Sequence, residues 1–289
     1  MTAIHPIYPL NDPMPKAAAD APIGIFDSGI GGLSVAQEIA RHLPNEHIVY
    51  YADTAHVPYG PRDDREIREL TAHAIEWLYR KGCKVAVVAC NTASAFSLDY
   101  LRTHYGEDFP IIGLVPALKP AVLQSKTKTV AVLATPATFR GQLIKEVVER
   151  FAAPAQVQVM PVTNLDLVPF VEAGAQMSAA CLQTLQDVLQ PAVDQGADFL
   201  VLGCTHYPFL KPAIQHIFGQ KLTLIDSGLA VARQTARILI KNELLFEQDR
   251  KDAVRIECYV SGQNAENLKP ILSRLMPEDL TWTVDNIGN

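Results

Sequence analysis

The segment Lys84–Cys90, KVAVVAC, is an unbroken, valine-rich apolar run. A half-exposed strand alternates apolar and polar residues. This segment does not, so it predicts a strand buried on both faces of a parallel sheet. The same unit recurs on either side of it. Ile23–Asp27 is a short apolar run ending in Asp27-Ser28-Gly29, and helical spacing follows over Leu33–Leu43. His47–Asp53 reads as a strand and Arg65–Arg80 as a helix. Further strands are expected at Ile111–Val115, Val130–Ala134, Val157–Val162, Phe199–Gly203 and Leu222–Asp226. Helices fall between them, notably Gly141–Phe151 and Ala179–Ala192. Strands alternating with helices predict an α/β protein with parallel sheets and helices on both faces.

Composition bounds the class. A chain of 289 residues suggests about two domains, and 48% hydrophobic residues suffice for large cores. The formal charge of −6, with no Lys/Arg block, lacks the footprint of a nucleic-acid binder. The longest apolar runs, such as Val85–Cys90 and Phe199–Cys204, fall far short of the roughly 18 residues of a membrane helix. No membrane or nucleic-acid partner is therefore expected. Five cysteines are too dilute for a disulfide scaffold, and no basic segment followed by an apolar stretch opens the chain. A reduced, cytoplasmic protein is expected. Residues 1–21, with Pro6, Pro9, Pro13 and Pro15, read as a poorly ordered tail.

Two short echoes suggest related halves. VVACNT (residues 87–92) and VLGCTH (residues 201–206) are buried strands ending in Cys and two polar residues. Phe26-Asp27-Ser28-Gly29 pairs similarly with Ile225-Asp226-Ser227-Gly228.

Polar clusters fall at the strand ends, where open α/β sheets bind ligands: Asp27-Ser28, Asp53-Thr54, Cys90-Asn91-Thr92, Thr135 and Cys204-Thr205-His206. A helix cap is the ordinary role of any one of them. Five at one end of the sheets point to a site. Gly29-Ile30-Gly31-Gly32 invites a nucleotide reading and fails it. A dinucleotide fingerprint needs Gly where Ser34 stands, and a P-loop needs Lys then Ser or Thr where Ile30 and Gly31 stand. A tight turn remains, its N–H groups free to face an anion such as a carboxylate or its glycines there for close packing.

Cys83, Cys181 and Cys258 read as small buried hydrophobes. Cys90 and Cys204 each end a strand and lead toward a helix start, where the helix field lowers a thiol's pKa. Cys204-x-His206 lacks the partner spacing of a zinc site, so no metal is expected. A Cys–His nucleophile for acyl transfer, with His206 as base, leaves Cys90 unexplained.

IGIFDSGIGGLSV (residues 23–35), DTAHVPYG (53–60), VVACNTASA (87–95), VAVLATPATFR (130–140) and LGCTHYPFL (202–210) together resemble the glutamate racemases of the aspartate/glutamate racemase family. The resemblance runs from about residue 22 to the end. It implies two similar α/β domains with the active site in the cleft between them: residues 22–115 plus 226–289, and residues 116–225. It implies racemisation of glutamate by a thiol/thiolate pair, without pyridoxal phosphate or metal. Cys90 would serve one enantiomer and Cys204 the other. The substrate-binding residues would be Asp27, Ser28, Tyr59, Gly60, Asn91, Thr92, Thr205 and His206, with Thr135 and Thr138 helping to bind the substrate carboxylate. Asp27 and His206 would tune the thiols. Glu172 matches a family acid near the second cysteine, although its surroundings, MPVTNLDLVPFVE, depart from the commoner pattern. Asp53, in the matching DTA segment, reads as a cap. The resemblance further implies a bacterial cytoplasmic homodimer that supplies D-glutamate for peptidoglycan. Residues 1–21 raise regulation by a cell-wall precursor, because some members with an N-terminal extension respond to one. The alternatives are an aspartate racemase, a Cys-nucleophile hydrolase or transferase, and a non-catalytic amino-acid binding protein.

Overall fold

The computed structural model describes residues 17–248, 255–262 and 265–287. The Lys84–Cys90 run forms β3 (Val85–Val88), every residue of it buried. It lies in a six-stranded sheet with β1 (Ile23–Asp27), β2 (Ile48–Ala52), β4 (Ile111–Gly113), β9 (Ile256–Val260) and β10 (Trp282–Asn286). The order is β10-β9-β2-β1-β3-β4, and all pairs are parallel. A second parallel sheet runs β6-β5-β7-β8, from β5 (Thr129–Ala134), β6 (Gln158–Val162), β7 (Phe199–Gly203) and β8 (Thr223–Ile225).

Strand alternation explains the layers. Ile23, Ile25, Val85 and Val87 face α1 (Leu33–His42) and α10 (Gly228–Lys241). Phe26, Ala86 and Val88 face the other way, onto α2 (Asp64–Arg80) and α3 (Asn91–Tyr105). In the second sheet Ala131, Leu133, Leu200 and Leu202 pack on α7 (Leu167–Glu172), α8 (Ala179–Asp194) and α9 (Lys211–Phe218). Val130, Val132 and Val201 pack on α4 (Leu118–Gln124) and on Ile144 of α6 (Gln142–Val147). Each fully buried aliphatic side chain contributes about 1.5–3 kcal/mol of transfer free energy.

Both sheets share one winding. Numbered within each half, the first four strands run 2-1-3-4 in each sheet. The helix after the first strand and the helix after the third lie on opposite faces, so each half has a switch point between those strands, where ligands bind. Cys90 follows the third strand of one half and Cys204 the third strand of the other. The VVACNT/VLGCTH echo therefore marks equivalent positions. The DSG echo does not: Asp27 ends a first strand, whereas Asp226 follows a fourth.

Several expectations change. β9 and β10 both go unpredicted: Ile256–Val260 reads only as an apolar stretch around Cys258, and β10 is an edge strand with one buried residue, Val284. The helix expected over Gly141–Phe151 divides into α6 and a π-helical turn, Val148–Ala152. Residues 1–16 of the expected tail lie outside the described residues, but Ala18–Ala21 forms a turn. That turn is tied to the core by Lys84, whose ammonium donates to the Ala19 carbonyl and to Glu46 Oε2, each at 2.5 Å. Glu46 Oε1 accepts from the Phe246 N–H at 3.0 Å. Both charged side chains are essentially inaccessible. Lys84→Met would strand the Glu46 charge and is expected to cost about 3–5 kcal/mol in chemical denaturation. The double variant Glu46→Leu/Lys84→Met should recover most of that loss. A double variant as unstable as the single one would show that the cost is packing rather than charge.

Candidate active site

A small cavity lies where the carboxyl ends of the two sheets meet. From the first half it is lined by Ser28 after β1, by Pro58, Tyr59 and Gly60 in the β2–α2 loop, and by Cys90, Asn91 and Thr92 where α3 begins. From the second come Thr135 after β5, Val168 on α7, and Cys204, Thr205 and His206 after β7. Of the residues picked out from sequence, Asp27, Thr138 and Glu172 stand one layer back. Pro58 and Val168 were not foreseen. Pro58 lies within the quoted DTAHVPYG but carries no polar group, and Val168 has no chemical signal at all.

The two thiols differ in setting. Cys90 caps α3 (its Sγ accepts from the Ala93 N–H at 3.4 Å) and lies 3.7 Å from Ser28 Oγ. The helix field was expected to lower its pKa. Burial wins instead: desolvation, then the neighbouring Asp27 charge, push the thiol up. Cys204 sits differently again, because a 3₁₀ turn, Tyr207–Leu210, intervenes before α9. No α-helix opens on it. Its Sγ lies 3.7 Å from His206 Nδ1, and His206 Nε2 lies 2.6 Å from Glu172 Oε1. Burial alone would depress this histidine, but its hydrogen bonds to Cys204 and Glu172 outweigh burial and raise it well above the usual range. The other cysteines lie outside the cavity, and burial lifts Cys83 and Cys258 to about 12.

The glycine turn is explained by its neighbours. Its N–H groups do face carboxylates, but they are the protein's own. Ile30 N–H donates to Glu172 Oε1 at 2.9 Å and Gly32 N–H to Asp27 Oδ2 at 2.8 Å. A Cβ on Gly31 would stand 2.4 Å from His206 Nδ1, and one on Gly29 2.2 Å from Glu172 Oε1. Asp27 is fully buried and its carboxyl is raised to about 6, by desolvation first, with His206 and the Gly32 N–H opposing.

Hydroxyls of the two halves also meet. Thr92 Oγ1 lies 2.9 Å from Thr135 Oγ1, which lies 3.0 Å from Thr138 Oγ1. Thr205 Oγ1 donates to Asp27 at 3.3 Å, and Ser34 Oγ to the Thr205 carbonyl at 2.9 Å. Asp53 is not a helix cap: Asp63 caps α2, while Asp53 accepts from Tyr59 Oη at 2.6 Å. Among the described residues, no group of three or more His, Cys, Asp or Glu side chains is arranged to hold a metal ion.

The model of the Asp/Glu/Hydantoin racemase family matches residues 23–235. A glutamate racemase of Deinococcus radiodurans is 51% identical over 267 residues, covering 92% of this chain and 90% of its own. The crystal structure of Escherichia coli glutamate racemase, in complex with L-glutamate and the activator UDP-MurNAc-Ala, superposes with a TM-score of 0.78 at 33% identity. It covers 93% of this chain and 98% of its own. That of Francisella tularensis glutamate racemase with D-glutamate gives 0.77 at 28%, covering 93% and 98%. The chain belongs to the Asp/Glu/Hydantoin racemase family of enzymes.

Proposed function

We propose that this racemase interconverts L- and D-glutamate by a two-base reaction of Cys90 and Cys204, supplying D-glutamate for peptidoglycan in the cytoplasm. The observation that carries the reading is that both thiols line one cavity, at equivalent positions of the two halves. A racemase must take the Cα proton from one face and return one to the other. In one direction a thiolate breaks the Cα–H bond and forms S–H. The opposed thiol then gives its proton to the other face and is left as thiolate. The reverse reaction uses the same groups in exchanged states, so the chemistry balances without an outside reagent.

Neighbouring groups support these roles. Asp27, beside Cys90, and His206, beside Cys204, are the proton-tuning groups, and Glu172 holds His206. Asn91 Oδ1 is buried without a partner and offers an acceptor to the substrate ammonium. The three threonine hydroxyls offer donors to a carboxylate. Enclosure removes water around a developing carbanion, where the few fixed dipoles act most strongly. The family resemblance implies no pyridoxal phosphate and no metal. Residues 22–115 with 226–289, and residues 116–225, are taken as the two domains. A homodimer, and a cell-wall precursor as regulator, complete the reading.

The test is incubation of each glutamate enantiomer, and of L-aspartate, in deuterated water with wild type, Cys90→Ser and Cys204→Ser. Wild type should exchange and racemise glutamate in preference to aspartate. The two variants should be impaired in α-proton exchange from opposite enantiomers, by at least about 10²-fold. Equal, negligible effects would remove the cysteines from the mechanism. Preferred turnover of aspartate would favour the aspartate enzyme. A trapped acyl-cysteine without exchange would favour a hydrolase, and binding with neither would favour a binding protein.

Asp27 yields a stability prediction. Its folded pKa of about 6 lies above the ordinary 3.8, so the folded state holds this proton more tightly. That contribution is fully present below the unfolded value and is lost as pH rises through the folded one. Asp27→Asn cannot ionise. Relative to wild type it is expected to gain about 3 kcal/mol between about pH 4 and pH 7, measured by denaturation across that range. A difference that does not vary with pH would refute the burial argument.

A further inference from the structure

The loop joining β2 to α2 brings Tyr59 to the cavity wall, yet its shape is set from outside the cavity. Asp53, immediately after β2, is buried, and its carboxylate gathers three donors. Tyr59 Oη donates to Oδ2 and Ser261 Oγ to Oδ1, each at 2.6 Å, and His56 Nδ1 lies 2.8 Å from Oδ1. Ser261 follows β9, the strand beside β2, and its N–H donates to the Ala52 carbonyl at 3.0 Å. Ser261 Oγ also accepts the Ala55 N–H at 3.1 Å, and the Ser261 carbonyl accepts the Thr54 hydroxyl. The first turn of the loop thus hangs on two residues, Asp53 and Ser261, neither of which lines the cavity.

We infer that Asp53, held by Ser261, is a positioning residue for the reaction, acting through Tyr59 to keep the Pro58–Gly60 wall in place. This rests on the reading of the cavity as the racemisation site. Hydrogen bonds to a carboxylate are about twice as strong as neutral ones, and a buried hydroxyl without a partner costs more than the bond itself contributes. With its O–H committed to Asp53, Tyr59 holds one ring orientation against Phe26, centroid to centroid 6.1 Å, and presents a wall to the cavity. Without the Tyr59–Asp53 bond, whichever partner is removed, the ring is no longer held and the Pro58–Gly60 wall loosens.

The experiment compares wild type with Asp53→Ala, Asp53→Asn, Ser261→Ala, Tyr59→Phe and the double variant Asp53→Ala/Tyr59→Phe. Each is assayed for racemisation of both glutamate enantiomers and, without substrate, for the rate of Cys90 alkylation by iodoacetamide, mapped by mass spectrometry. Asp53→Ala is expected to raise KM about tenfold with kcat held within about threefold. Asp53→Asn keeps an acceptor oxygen for Tyr59 and should recover most of the loss. The double variant should lie within about twofold of Asp53→Ala, because both changes remove the same bond. Cys90 alkylation should accelerate about fivefold in Asp53→Ala and less in Ser261→Ala, as the wall loosens.

The inference is overturned if the two single effects multiply in the double variant, or if Asp53→Ala leaves KM and alkylation unchanged. It also fails if Tyr59→Phe leaves KM untouched while Asp53→Ala raises it. Should Asp53→Ala not fold, the cycle of Ser261→Ala with Tyr59→Phe reads the same coupling. A wild type that does not racemise glutamate would refute the parent reading alone, since the alkylation series does not depend on turnover.

Discussion

Glu172 and His206 reach the Gly29–Gly32 turn so closely that a β-carbon at Gly29 or Gly31 would have to displace one of them. This approach joins the two halves of the site. Glu172 Oε1 takes a backbone N–H from the first half while holding the histidine beside Cys204 in the second. A β-carbon at Gly31 would displace the imidazole that stands beside Cys204. The glycines serve the approach of the protein's own carboxylates, not of a nucleotide phosphate.

Electrostatics in the cavity follow from burial more than from helix fields. A helix N-terminus supplies only a fraction of a charge and acts over about one turn. Removing a thiolate or carboxylate from water costs several times that. Cys90 and Asp27 are accordingly both driven toward their protonated forms. On the other side, His206 is driven toward its charged form because Glu172 and Cys204 hold it there. Two similar halves therefore surround their thiols with different partners. An acid stands behind one sulfur and a histidine–glutamate pair beside the other.

That asymmetry sits on a symmetric frame. Each half winds its first four strands 2-1-3-4 and places its cysteine after the third. Two such halves facing each other bring their two cysteines to the wall of one cavity. β9 and β10 break the symmetry by extending the first sheet alone. Through Ser261 they reach back to the loop that carries Tyr59.

Local patterning was enough for the strands, since KVAVVAC and its counterparts have no polar face to expose and must be buried on both sides. The polar residues at the strand ends, the two cysteines among them, were likewise visible as motifs. What a motif does not contain is distance in space. Asp53 looked like a cap because its nearest neighbours in the chain suit one. Its actual partners include Ser261, more than two hundred residues away, and Tyr59 across a loop. The DSG echo looked like a repeat, but strand order sets its two copies at unequal places. The pKa of Cys90 could not be read from its helix start, because desolvation depends on what the whole chain packs around the sulfur. Periodicity and residue type act along the chain and are legible there; burial and cross-sheet contact arise only when segments far apart in sequence are brought to the same few ångströms.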